Sequence, residues 1–114
     1  MHELSIATNI VEICEENALQ NNALKITSVT LEIGALSGIV LEALETAMIS
    51  AKKGSIIEQA DINYKIIKGM SKCEDCGKNF ESKDIFDLCP SCNSFKTKVI
   101  QGKELSVSSM DIET

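Results

Sequence analysis

The sequence predicts an α+β fold: two helices on one face of a small three-stranded sheet, interrupted before its last strand by an inserted four-cysteine module. Three observations carry this expectation. Apolar residues recur at helical spacing in two segments, they alternate with period two in three others, and four of the five cysteines fall within residues 73–92. A chain of 114 residues has room for one ordinary domain, or one small domain plus a module that needs outside help to stay folded. With 44% apolar and 25% charged residues it has the composition of a soluble globular protein. Aromatics are only 4%, so the main core must be aliphatic.

Over residues 4–20, Ala7, Ile10, Val11, Cys14 and Ala18 share one helix face while Glu12, Glu15 and Glu16 take the other. From Ile26 the period changes to two. Val29, Leu31 and Ile33 face one way, Ser28, Thr30 and Glu32 the other, and Gly34 ends the strand. Ser37 reads as the N-cap of a second helix with the stripe Val40, Leu41, Leu44, Ala47, Met48 and Ala51, closed by Lys52, Lys53 and Gly54. Ile62, Tyr64 and Ile66 mark a second strand. Leu105 and Val107 begin a third, whose alternation slips at Ser108-Ser109 before Met110 and Ile112, the pattern of a bulge. Ile10, Val11, Leu31, Leu44 and Ile66 are the expected main core. Gly69 and Gly102 bracket the cysteine window, giving an α/β domain of residues 1–68 and 103–114 and an inserted domain of residues 69–102. The two glycines would let the module swing or let neighbouring chains exchange strands, so a monomer or a weak homodimer is expected.

All eleven basic residues are Lys, against seventeen acids, for a formal charge of −6. Without Arg the chain lacks the fork that reads guanine edges and grips phosphates in pairs, and its field repels nucleic acid. No partner of that class is expected. The start has no basic n-region and Glu12, Glu15 and Glu16 break its first apolar stretch, so no secretory leader is expected, and no apolar run reaches membrane-spanning length. No membrane partner is expected, and the cytoplasm is the expected compartment.

Cys73-x-x-Cys76, twelve residues, then Cys89-x-x-Cys92 reads as a metal site and not a disulfide framework in a cytosolic chain. Each C-x-x-C turn aims two sulfurs at one ion, and Gly77 and Asn93 tolerate the left-handed backbone such turns need. A segment this short seldom folds on burial alone, and a four-thiolate Zn²⁺ contributes about 10 kcal/mol or more in small zinc peptides. Phe80, Phe86 and Phe95 are its expected core. All four positions are protein ligands, so the zinc is structural, with no open site for catalysis. A rubredoxin-like iron site would use the same four thiolates, but nothing else in the chain announces electron transfer. Residues 70–103 hold six Lys and five acids. With four thiolates on Zn²⁺ adding two negative charges, the module is about −1 and makes no basic patch. Cys14, on the apolar stripe of the first helix, reads as a buried packing thiol.

His2 is the chain's single histidine. A free amine on Met1, the His2 amide and the His2 imidazole can close fused five- and six-membered chelate rings in one plane, which suits Ni²⁺ or Cu²⁺ and disfavours tetrahedral Zn²⁺. The fourth donor is the Glu3 amide, its carboxylate or a partner's side chain; the alternative to the chelate is a solvated terminal histidine.

Met1-His2-Glu3-Leu4-Ser5, the Gly34-Ala35-Leu36-Ser37-Gly38 turn and the paired C-x-x-C module together resemble the HypA/HybF family of hydrogenase nickel-incorporation proteins, over the whole chain. The resemblance implies a nickel metallochaperone with a mixed three-stranded sheet and two helices. Ni²⁺ would be held by Met1, His2 and Glu3, and zinc by Cys73, Cys76, Cys89 and Cys92. It implies work with a HypB GTPase, delivery to the large subunit of [NiFe] hydrogenase and, in some members, service to urease maturation. Some relatives carry further histidines near the zinc cysteines, and this chain has none. A zinc-ribbon adaptor that only docks proteins is the alternative. An enzyme is not expected, since no catalytic constellation is visible.

Overall fold

The computed structural model describes residues 2–114. Helix α1 spans Glu3–Gln20 and buries Ala7, Ile10, Val11, Cys14 and Ala18, the stripe its spacing predicts. It ends where Asn22 turns left-handed at φ 53° and the Ala23 N–H donates to the Ala18 carbonyl at 2.9 Å, a Schellman closure with Asn in the place usually taken by Gly. Strand β1, Lys25–Gly34, buries Ile26, Val29, Leu31 and Ile33.

Helix α2 spans Leu41–Ala51 and fully buries only Leu44 and Met48. Its N-cap is Val40, which corrects the expectation for Ser37. The reason lies in the backbone between them. The Ala35 N–H donates to the Ile67 carbonyl at 2.8 Å, the Leu36 N–H to Gly102 at 2.7 Å and the Ser37 N–H to Gly34 at 3.0 Å. Gly38 then sits at φ 80°, so residues 35–38 are spent on a turn tied to strand ends before the helix can start. α1 and α2 pack on each other.

Strand β2, Asp61–Ile67, is followed by β3, Met70–Cys73, β4, Asn79–Glu81, β5, Thr97–Gln101, and β6, Leu105–Glu113. One sheet has the order β2-β1-β6 and the other β4-β3-β5. In the first, Leu24 N–H donates to Glu113 O and Gly34 N–H to Glu104 O, so β1 and β6 are antiparallel. Glu32 pairs with Lys65 and Ala35 with Ile67, so β1 and β2 advance together. This is the mixed sheet that the resemblance implies. Half-buried positions on β6 run Leu105, Val107, then Met110, so the inward phase slips across Ser108-Ser109. Among the described residues no helix is long and apolar enough to cross a membrane.

The chain forms two compact units: residues 1–32, 39–65 and 106–114, and residues 33–38 with 66–105. In the first, Ile57 is fully buried from a turn, a core member without periodicity to reveal it. In the second, Ile66, expected in the main core, is 51% exposed, because the alternation of β2 slips after Tyr64 and Ile67 takes the half-buried position instead.

The second unit departs further from expectation. Phe86 and Phe95 are 82% and 78% exposed and Phe80 is half-buried, so the three do not form a core. Asp84 and Asp87 side chains accept the Phe86 and Lys83 amides at 2.8 and 2.7 Å, which fixes a tight turn that turns Phe86 outward. From residue 66 to 105 the fully buried positions are Gly69, Ser71, Cys73, Ser82, Cys89 and Gly102. Ser71 and Ser82 satisfy each other at 2.9 Å.

Within this unit three chain segments meet at glycines. A Cβ on Gly34 would fall inside the van der Waals envelope of the Gly102 carbonyl, and one on Gly102, at φ +111°, would approach the Gly69 Cα to 2.6 Å. Backbone atoms cannot swing aside as a side-chain tip can. Gly34→Ala is expected to cost on the order of 3 kcal/mol, read as a lower urea midpoint; an unchanged midpoint would show that the joint yields freely.

Candidate metal centres

The four-cysteine centre is built by two equivalent turns. At the end of β3, the Cys73 N–H donates to Lys78 O and the Gly77 N–H to Cys73 O, both at 2.9 Å. In the second turn the Cys89 N–H donates to Ser94 O at 3.0 Å and the Asn93 N–H to Cys89 O at 2.8 Å. Gly77 at φ 77° and Asn93 at φ 59° supply the left-handed residue in each, as their positions predict. The Ser94 hydroxyl bonds the Asp75 carboxylate and the Glu74 N–H donates to Lys96 O at 2.8 Å, so the turns are held face to face.

All four sulfurs lie within 4.8 Å of one another, with Cys73 to Cys92 at 3.5 Å and Cys76 to Cys89 at 3.6 Å. A tetrahedral ion with metal–sulfur bonds of about 2.3 Å needs sulfur–sulfur edges of about 3.8 Å. The donor set and its geometry therefore fit a metal ion. Cys73 and Cys89 are buried, Cys76 and Cys92 exposed.

The thiols are electrostatically unequal. The Cys76 amide, donating to the Cys73 sulfur at 3.4 Å, brings the Cys73 thiol down to about 7, and the Cys92 amide lowers Cys89. Cys92 is pushed up to about 12 because the favourable Ser94 amide is outweighed by the Cys73 sulfur, local desolvation and the remaining sulfurs. The ring thus favours ionisation of Cys73 and Cys89 and opposes that of Cys76, whose thiol is raised, and of Cys92, a conflict that a bound dication removes. Cys14, by contrast, is pushed up to about 11 by burial and then by Glu15, the inert packing thiol its position predicts.

At the other end of the chain, Met1 lies outside the described residues. His2 is exposed and caps α1 through its carbonyl, which accepts the Ile6 N–H at 3.1 Å; its side chain makes no capping bond. Ile6 makes the first helical bond, and the amides of the turn before it have no carbonyl of the helix to bond. Glu3 opens the helix, and its Oε2 accepts from the Val40 N–H, at the start of α2, at 3.4 Å. Sequence reasoning could not find that contact, since its donor is a backbone amide brought near by the fold.

Comparison with known proteins adds the decisive observation. Residues 1–112 match the family described as hydrogenase/urease nickel incorporation, metallochaperone, HypA. The chain belongs to the HypA family. It is 45% identical over 113 residues to the hydrogenase maturation factor HypA of Parabacteroides distasonis, covering 99% of this chain and 98% of that one. The corresponding HypA protein of Aquifex aeolicus is 38% identical, with the same coverage. Among solved structures, that of the Ni metallochaperone HypA from Helicobacter pylori superposes with a TM-score of 0.73 at 27% identity, over 98% of this chain and 97% of the other. Both the cysteine centre and the Met1-His2-Glu3 start lie within the HypA match.

Proposed function

We propose that this chain is a nickel metallochaperone of hydrogenase maturation, with no turnover of its own. The single observation that carries the reading is the family match over residues 1–112, which takes in both donor sets at once. On this reading residues 1–68 and 103–114 form the nickel-binding domain and residues 69–102 the zinc-binding domain. Cys73, Cys76, Cys89 and Cys92 would hold a structural Zn²⁺, a closed four-thiolate ion that stabilises the fold of its module. The residues around it hold the four sulfurs at tetrahedral spacing and leave no position for a substrate.

Ni²⁺ is the cargo, taken by the Met1 amine, the His2 amide and imidazole, and Glu3. Two features support this assignment. The first-turn amides have no helical carbonyl to lose, so recruiting one as a donor breaks no helix hydrogen bond. His2 is exposed, so a partner can replace donors one at a time, and release does not require the fold to open. The Glu3 carboxylate is engaged at the Val40 amide, which favours its amide as the fourth donor. Copper binds such nitrogen donors more tightly by the Irving–Williams order, so nickel selectivity would rest on availability and partner choice. The proposed partners are a HypB-type GTPase and the large subunit of [NiFe] hydrogenase, with urease maturation proteins as a further route, all in the cytoplasm.

The test is delivery in a cell lacking the gene. Wild-type protein should restore nickel to the isolated hydrogenase large subunit, and His2→Ala, produced at equal level with its zinc intact, should not. Full restoration by His2→Ala would overturn the reading and leave a docking adaptor in its place.

A further inference from the structure

The second sheet carries a charge arrangement that metal binding does not explain. β3 and β5 are antiparallel, and their register places Lys72 directly opposite Lys98. Like charges facing each other across a strand pair destabilise that pairing. In a chain of net charge −6 an acidic neighbour would be the natural remedy. The ion pair among the described residues, however, joins Lys65 to Glu32, and neither Lys72 nor Lys98 has one.

Nor does Lys72 point at the sulfurs of the cysteine centre. Ser71 and Cys73 are buried while Lys72 between them is exposed, so strand alternation sends the lysine to the opposite face from the Cys73 sulfur. Both lysines and Ile100, 50% exposed, line a cleft of about 550 Å³ together with Cys73, Glu74 and Gly77. Such a volume accommodates several side chains. Ile100, the extra residue of β5 where the register shifts opposite Met70 and Ser71, sets an apolar contact beside the two cations. Glu74 lines the same cleft, so its two ammonium groups exceed its carboxylates by one.

We infer that this cleft docks an acidic segment of a partner protein, one that places carboxylates between Lys72 and Lys98 and an adjacent aliphatic side chain on Ile100. Ammonium groups on flexible stems act as point charges and demand no planar, bidentate partner, which suits carboxylates presented by a peptide. The occupied cleft relieves the like-charge repulsion that the empty one carries. This docking role does not depend on the nickel reading.

The experiment is an amide chemical-shift titration of the metal-loaded full chain with acetyl-Asp-Leu-Glu-Ile-Asp-amide, with the isosteric acetyl-Asn-Leu-Gln-Ile-Asn-amide and with inorganic phosphate. The acidic peptide should give saturable shifts at Lys72, Gly77, Lys98 and Ile100, weakening as salt is raised. Binding should fall about fivefold in the double variant Lys72→Gln, Lys98→Gln, with metal content unchanged. Lys98→Gln alone serves should the double variant lose its metal. Equal shifts with the neutral peptide, saturation by phosphate without peptide binding, or no shifts in this cleft would each overturn the inference.

Discussion

Cys76→Ser is expected to abolish zinc binding and to unfold residues about 70–100 while the first unit stays intact. The magnitude follows from what the second unit lacks. Between residues 66 and 105 no large apolar side chain is fully buried, and two of its three phenylalanines face solvent. Burying one large apolar side chain contributes about 2 kcal/mol, whereas a four-thiolate zinc contributes about 10 kcal/mol or more. The ion therefore outweighs any single apolar contact in the module several-fold. The first unit buries Ala7, Ile10, Val11, Cys14, Leu31, Leu44 and Ile57, none of which is a ligand. Elemental analysis should show zinc falling from one ion per chain to none, and amide spectra should lose dispersion in the module alone. Retained zinc, or a module that stays folded without metal, would refute the assignment. Iron in place of zinc would show in the same elemental analysis.

Extending the chain by two residues before Met1 should abolish tight Ni²⁺ binding, because the added peptide converts the amine into an ordinary amide and displaces the chelate rings. His2→Ala should do the same by removing the chain's one imidazole. Loss of a direct donor should cost at least about a hundredfold in affinity, more than altering a group that merely orients one. The helix should not notice, since the His2 side chain makes no capping bond and its carbonyl, which receives the Ile6 N–H, survives the substitution. Glu3→Gln keeps an oxygen for the Val40 amide and should change affinity little if the Glu3 backbone is the donor. Calorimetric titration of untagged protein, with zinc content and circular dichroism as controls, reads all three variants. Undiminished binding by the extended protein would exclude the terminal chelate.

Much of the cysteine centre was legible because metal ligation leaves a local signature. Two C-x-x-C turns, each followed by a residue that tolerates positive φ, specify their own geometry within five residues, and the chain places Gly77 and Asn93 where the turns require them. The face of α1 was equally legible, since five buried residues at helical spacing can be aligned without knowing what covers them. The start of α2 was not. Ser37 has the chemistry of a cap, but the backbone bonds that keep residues 35–38 out of the helix run to Ile67 and Gly102, far away in sequence.

The sequence by itself therefore determined the kinds of elements, the four sulfurs that meet, the inert place of Cys14 and the chemistry available at His2. Periodicity and ligand spacing are properties of a few neighbouring residues, and they survive in any fold that uses the segment. Tertiary structure alone decided which apolar residues are covered. Ile57 is buried from a turn while Ile66, Phe86 and Phe95 are left to solvent, because burial depends on what stands opposite a side chain and not on its own hydropathy. It also decided the meetings between distant groups, Glu3 with the Val40 amide and Lys72 with Lys98. Such pairs are set by strand register and helix placement, which no window along the chain contains.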